Sequence, residues 1–346
     1  MFHSYYSKWK YIKRTMLFVG VMMVLLLSSC QSDDNETVIL ELPSHFPAPV
    51  YDFSNNPITS EGFELGKKLF YDPILSKDST ISCRSCHAQV HGFADHNVAF
   101  STGFGGRLGS RNSPPTVNLI WNTSFMWDGG VNHLEVMPIG PITDPNEMAE
   151  TLTGIIAKLQ NHRKYPSLFS NAFGSKEITS QKLLYAIAQF QGSIISANSR
   201  YDDMIQGKVL FTDDEAAGHN VFKENCAACH VPPLFTDFSF KSNGTVPKKM
   251  EEGRERITLD PLDYGKFKVP TLRNIELTYP YMHDGRYFTL VQVLDHYQDC
   301  HTNEMEVDPI LSRGITLTAL ERKQLLTFLK TLTDAPLLRN NKFSEP

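Results

Sequence analysis

After its first thirty residues the chain has no apolar run of the roughly 20 residues that a membrane-crossing helix needs. It has no surplus of positive charge: 33 Lys and Arg stand against 38 Asp and Glu, a net of −5. A nucleic-acid partner is disfavoured, because binding phosphates calls for a basic face. Strand-like alternation is short and rare, which argues against a large β-sheet as the scaffold. Cysteine is scarce, six in 346 residues, and the placing of those six carries most of the chemical signal.

The first thirty residues read as an export signal. Lys8, Lys10, Lys13 and Arg14 precede an apolar run from Met16 to Leu27, then Ser28, Ser29 and Cys30. That run is short for a membrane span. Leu27-Ser28-Ser29-Cys30 looks like a bacterial lipoprotein signal, in which the cysteine becomes the lipidated first residue. Gln31–Glu36 is polar and acidic, as a flexible tether would be. The expected location is therefore exported and periplasmic, anchored to a membrane through Cys30, with the outer membrane favoured and the cell surface open. Loss of residues 1–29 removes the four basic residues and leaves 29 basic against 38 acidic, a net of −9. A basic electron donor would be steered towards such a surface.

Four of the other cysteines fall in two copies of one pattern: Cys83-Arg84-Ser85-Cys86-His87 and Cys226-Ala227-Ala228-Cys229-His230. C-x-x-C-H is the attachment site of c-type haem. Two cysteines three apart can each form a thioether to one haem edge, and the histidine that follows can reach the iron. By chance the pattern is expected roughly 0.004 times in this composition, so two copies in an exported chain outweigh a zinc site, a thioredoxin-like pair or a disulfide. Cys300 is left over, and the sequence assigns it no role.

Each motif follows a similar segment, Ser60–Phe70 in one case and Thr212–Phe222 in the other. Gly66 and Gly218 each lie four residues before a phenylalanine, on the same helix face. Such a face suits close packing against a flat macrocycle or another helix. Thr212 with Glu215, and Thr318 with Glu321, form capping boxes that start helices. A helix over Ser180–Ser196 is expected from Leu183, Leu184, Ile187, Phe190, Ile194 and Ile195 at spacings of three and four. The expected class is mostly α, with two cytochrome c-like haem domains, long loops and little β. The expected divisions are a signal at 1–29, a tether at 30–44, one haem domain at 45–195, a second at 196–335 and a tail at 336–346. About 315 residues after the signal suffice for two such domains.

Several further segments occur in order. They are Arg111-Asn112-Ser113-Pro114-Pro115-Thr116, Trp127-Asp128-Gly129, Leu134-Glu135, Gly140-Pro141-Ile142 and Glu147-Met148. They continue with Phe267–Asn274 and Pro280-Tyr281-Met282-His283-Asp284-Gly285-Arg286. Together with the haem motifs, this set resembles the bacterial dihaem cytochrome c peroxidase/MauG family over roughly residues 45–332. The resemblance implies two covalently attached haem c groups with different tasks. The one held by Cys83, Cys86 and His87 would meet hydrogen peroxide. The one held by Cys226, Cys229 and His230 would take electrons from a small c-type cytochrome or copper protein. It further implies Glu147 as the catalytic acid, which takes a proton from peroxide and returns it to the leaving oxygen. Trp127 would bridge the haems, and Asn112, Thr278 and Pro280 would hold a calcium ion between the domains. A homodimer is also implied. The bland alternatives are a helix-capping role for Glu147, a core tryptophan at Trp127 and a loop-satisfying role for Asn112.

The chain departs from the family pattern in three places. Peroxidases that need prior reduction carry a blocking histidine in a Gly-His-Gly segment, where this chain has Gly103-Phe104-Gly105. Phenylalanine cannot ligate iron. His91 and His96 lie near, and surface or loop roles suit them better. The position of the second ligand to the C-terminal haem falls on Tyr297, with His296, Met282 and Met305 as alternatives. Met137 stands where many relatives have glutamine, which removes one hydrogen bond from the peroxide pocket. Three functions follow: a peroxidase, a MauG-like peroxide-dependent oxidase of a partner protein, and a plain electron carrier. A carrier normally saturates both iron positions, so Phe104 and Glu147 argue against the third.

Overall fold

The computed structural model describes residues 40–245, 251–302 and 307–346. Cys30 and the signal lie outside the described residues, as does Met305. Helices and long irregular loops dominate, and the described sheet is one antiparallel pair, β1 (Phe240–Lys241) and β2 (Phe267–Lys268). The mostly α expectation holds.

Among the described residues seven helices have nine or more residues: α1 (Ser60–Tyr71), α2 (Leu152–Gln160), α3 (Tyr165–Phe173), α4 (Ser180–Gly192), α5 (Asp213–Asn225), α6 (Leu290–Asp299) and α7 (Ala319–Lys330). Six of their starts follow from side-chain caps. Thr59, Thr151, Thr179, Thr212, Thr289 and Thr318 each accept a backbone N–H of the first turn through the side chain. Helix α4 ends at Gly192, short of the expected Ser196. Beyond it the chain is claimed by another contact, for Asn118 Oδ1 accepts from Ser196 N at 2.8 Å.

The two similar segments become two similar packings. Helix α1 crosses α4 and α5 crosses α7. A methyl on Gly66 would run into the Ala186 carbonyl of α4, and one on Gly218 into the Gln324 carbonyl of α7. The glycine faces therefore meet a helix in both halves. One apolar cluster lies among α1 to α4, built on Leu65, Leu69, Ile155, Phe169, Leu183 and Ile187. Another joins α5 and α7 through Val221, Phe222, Leu325 and Phe328. Leu119, Trp121 and Leu134 of the first half cluster with Leu234 of the second. The C-terminal segment turns back rather than trailing away. Leu337 and Phe343 join Phe63, Phe70 and Phe190, and Tyr71 donates its hydroxyl proton to the Phe343 carbonyl at 2.6 Å.

A buried ion pair fixes the start of the second half. Arg273 and Asp202 are both fully buried and meet through two bonds, at 2.8 and 2.9 Å. His45 reaches the same carboxylate at 2.9 Å and ties the N-terminal segment down.

The glycine crossings are sites of forced contact, so Gly66→Ala and Gly218→Ala should each cost ~1–3 kcal/mol through overpacking. Denaturant midpoints of the haem-loaded variants measure this; unchanged midpoints would show that the helices part at no cost.

Candidate haem sites

Cys83, Cys86 and His87 sit on a short helical turn capped by a reciprocal Ser82–Ser85 pair. They face a cavity of about 800 Å3, which also takes Trp127, Met137, Pro141, Glu147 and Gln191 into its wall. That is ample for a drug-sized ligand. His87 donates from Nδ1 to the Phe93 carbonyl at 3.1 Å, which leaves Nε2 for a metal. The second motif repeats the device. His230 Nδ1 lies 3.2 Å from both the Phe235 and the Pro270 carbonyl. Burial pulls the pKa of both histidines down, towards the neutral form that ligates iron.

None of the four motif cysteines is paired in a disulfide. Burial pushes Cys83 and Cys226 up to about 12 and Cys86 up to about 11, and it raises Cys229 as well. A redox-active C-x-x-C pair has the opposite character, a depressed thiol pKa. A haem fits this wall on two further grounds. Gln191 is buried and its Oε1 has no hydrogen-bond partner. Burial pulls the Lys268 ammonium down to about 8 against the pull of Asp128, so a carboxylate-bearing ligand would relieve it.

Glu147 lies in the same wall, half-buried. Burial, then repulsion from Asp144, pushes its carboxyl up to about 7. Its backbone carbonyl accepts from Phe104 N at 2.6 Å. A methyl on Gly103 would meet the carbonyls of Asn146 and Glu147, so this glycine lets the Phe104 loop lie flat on the Glu147 turn. His91 and His96 stack on each other, centroids 3.4 Å apart, and neither lines the cavity.

Trp127 is held at both ends. Its indole N–H donates to the Asn112 carbonyl at 2.7 Å, and its own carbonyl accepts from Lys268 N at 2.8 Å. Next to it, Asp128 is fully buried between Arg111 and Arg256. Burial would raise this carboxyl, but the two guanidiniums hold it below the usual range. Arg111 also grips Glu251 through two bonds, at 2.7 and 2.9 Å. Asn112 Nδ2 points at the carbonyls of Val98 and Ala99, at 3.4 and 3.2 Å. The Tyr279 carbonyl accepts from Asn97 N at 3.2 Å, so Asn112 and the Thr278–Pro280 segment flank one short loop.

In the second site Tyr297 is half-buried and close enough to Cys226 and Cys229 to feel them electrostatically. Burial pushes its phenol up to about 12, opposed by a hydrogen bond with Asn243. His296 is engaged at both nitrogens, by the Asn243 carbonyl at 2.8 Å and the Tyr287 hydroxyl at 3.2 Å.

The loops hold a duplication that the helix comparison missed. Asn118 and Asn274, and Met126 and Met282, all adopt positive φ. Phe125 N bonds the Val131 carbonyl and Tyr281 N the Tyr287 carbonyl, both at 2.7 Å. Phe-Met-Trp-Asp-Gly at 125–129 and Tyr-Met-His-Asp-Gly at 281–285 are one loop used twice, with His283 in the place of Trp127. The signal was present in the sequence as Met-x-Asp-Gly.

Residues 60–209 match the family described as di-haem cytochrome c peroxidase. The cytochrome c551 peroxidase of Nitrosomonas europaea is 36% identical over 284 residues, covering 80% of this chain and 81% of that protein. The methylamine utilization protein MauG of Methylorubrum extorquens is 36% identical over 291 residues, with 81% and 80% covered. A crystal structure of a MauG-like protein associated with microbial copper homeostasis superposes with a TM-score of 0.82 at 33% identity, covering 89% of this chain and 99% of that one.

Proposed function

Because the chain belongs to the di-haem cytochrome c peroxidase family, we propose that it reduces hydrogen peroxide to water with electrons from a small cytochrome or copper protein. The observation that carries this reading is Glu147, a carboxyl poised near neutrality in the wall of the His87 cavity. When bound, the two haem c groups supply redox-active iron, one for peroxide and one for the donor. Cys83, Cys86 and His87 would hold the first, and Cys226, Cys229 and His230 the second. The remaining chemistry is the chain's own. Glu147 accepts the proton of peroxide at its carboxylate and returns it to the departing oxygen, which leaves as water. Trp127 is clamped between Asn112 and Lys268, and Lys268 is two residues from the Pro270 carbonyl on His230. That position supports its role as the bridge. Phe104 leaves the Glu147 side without a blocking ligand.

The test is peroxide-dependent oxidation of a reduced small cytochrome c by the holoprotein, started fully oxidised. Turnover without prior reduction is expected. Since Glu147 must begin as the carboxylate, kcat/KM should fall as pH drops below about 7. Glu147→Gln should lower it by roughly 10²–10⁴-fold and flatten that limb. A variant within a few-fold of the parent would remove Glu147 from the chemistry. Phe104 and Tyr297 also favour a second reading, peroxide-dependent oxidation of a partner protein. Stoichiometric peroxide consumption without cytochrome turnover would select it.

Asn112, Thr278 and Pro280 bind calcium, with waters completing the shell; their flanking of the 97–99 loop supports this. Chelation should lower the melting temperature and added Ca²⁺ restore it, whereas indifference to chelator would end the reading. The protein is exported and lipid-anchored at Cys30, and it forms a homodimer. Parent protein should partition into detergent and Cys30→Ser into buffer; aqueous parent protein would rule the anchor out.

A further inference from the structure

Three long cationic side chains line the cavity faced by Cys83, Cys86 and His87: Arg111, Arg256 and Lys268. Two of them already have anions. Arg111 is committed to Asp128 and Glu251, and Arg256 to the same Asp128. Lys268 has no carboxylate in salt-bridge contact among the described residues. Its Nζ donates to the Ser124 carbonyl at 2.7 Å, one bond of the three that an ammonium can make. Ser124 precedes Phe125, which lines the same cavity. Asp128 attracts Lys268 from a distance, but two guanidiniums hold its carboxylate.

A charge out of water without a counter-ion is costly, and such charges are normally paired. Burial pulls the Lys268 ammonium down to about 8, so the site favours an incoming anion. A haem brings two carboxylates on short arms. The other titratable groups of the wall do not suit them. Asp144, Glu147 and Glu251 are carboxyls and would repel an anion, while both arginines are taken. Lys268 is the wall cation with N–H groups to spare, and an ammonium–carboxylate bond is of the strong, charge-assisted kind.

We propose that Lys268, a residue of the second half, anchors a carboxylate arm of the haem held by Cys83, Cys86 and His87 in the first. Lys268 is then a positioning residue with two attachments. Its side chain holds the haem arm, and its backbone N–H holds the Trp127 carbonyl at 2.8 Å. Uptake of the first haem supplies the anion that Lys268 lacks and ties β2 to the cavity. The paired cation also raises the reduction potential of that haem, since nearby charge and hydrogen bonds set such potentials. The proposal rests on the reading that the first motif carries haem, and not on which reaction that haem performs.

The test uses the full haem-loaded chain. It reads the reduction potential of each haem and the propionate-bending bands of the resonance Raman spectrum. Lys268→Met should lower the potential of the N-terminal haem, because loss of a neighbouring cation favours the oxidised form, and should shift one propionate band. Lys268→Arg keeps the charge and should keep both readings near the parent's. Lys268→Gln is the second neutral variant, should the methionine fail to take up haem, and it should also lower the potential. Parent-like potentials and bands in the neutral variants would overturn the proposal. An arginine variant as low as the neutral ones would overturn it too, as would an equal fall at both haems, which marks general damage. Haem stoichiometry separates the two levels. If the parent carries haem on Cys226 and Cys229 alone, the reading of the first site itself falls. If it carries two haems and the neutral variants match it, only the anchoring by Lys268 falls.

Discussion

The 2.8 Å hydrogen bond from Lys268 N to the Trp127 carbonyl is the joint on which the two halves depend. Within the next two residues, Val269 N bonds the Ser239 carbonyl at 2.8 Å and the Pro270 carbonyl meets His230 Nδ1 at 3.2 Å. One extended segment thus holds both Trp127 and the His230 imidazole. Both jobs need backbone groups, because a carbonyl held by its neighbours cannot swing as a side chain can. Displacement of this segment would move Trp127 and His230 together.

The haem attachment was legible in the sequence because thioether and axial chemistry demand particular residues at one spacing. Helix starts were legible for a similar reason, since threonine at Thr212 and Thr318 with glutamate three later satisfies orphan amides in only one geometry. The helix crossings were half legible. Gly66 and Gly218 announced a close approach but not what approached, and helices α4 and α7 were the answer. The loops were not legible by propensity, because their left-handed turns use Asn118, Met126, Asn274 and Met282 rather than glycine. Tertiary contacts override local preference there. The retreat of α4 from Ser196 to Gly192 has the same cause, a long-range bond from Asn118.

Second ligands are harder to read than first ones. Cys-x-x-Cys-His is contiguous, whereas the candidate phenol and thioether come from residues 297 and 282, far from the motif at 226–230. Counting from a motif can nominate Tyr297, but only folding shows that His296 is already spent on a carbonyl and a hydroxyl.

The charges of the first cavity divide the labour by environment. Glu147 lines the cavity, Asp128 lies behind it against Arg111 and Arg256, which do line it, and burial acts to raise both carboxyls. Asp128 has Arg111 and Arg256 against it and stays ionised; Glu147 has burial and Asp144 raising it, with no cation among the described residues to offset them, and sits at about 7. Environments that push two like groups apart mark which one exchanges protons. At neutral pH the seam of Arg111, Asp128, Arg256 and Glu251 therefore holds fixed charge, while Glu147 changes state within reach of solvent pH. Fixed charge at the joint leaves interdomain geometry and potential undisturbed when the proton moves. If the carboxyls were exchanged, each proton transfer would break an ion pair at the seam, at a cost of the order of 3–5 kcal/mol for a buried pair. With Glu147 as the proton-exchanging group of the proposed chemistry, the joint that holds Trp127 keeps its charges.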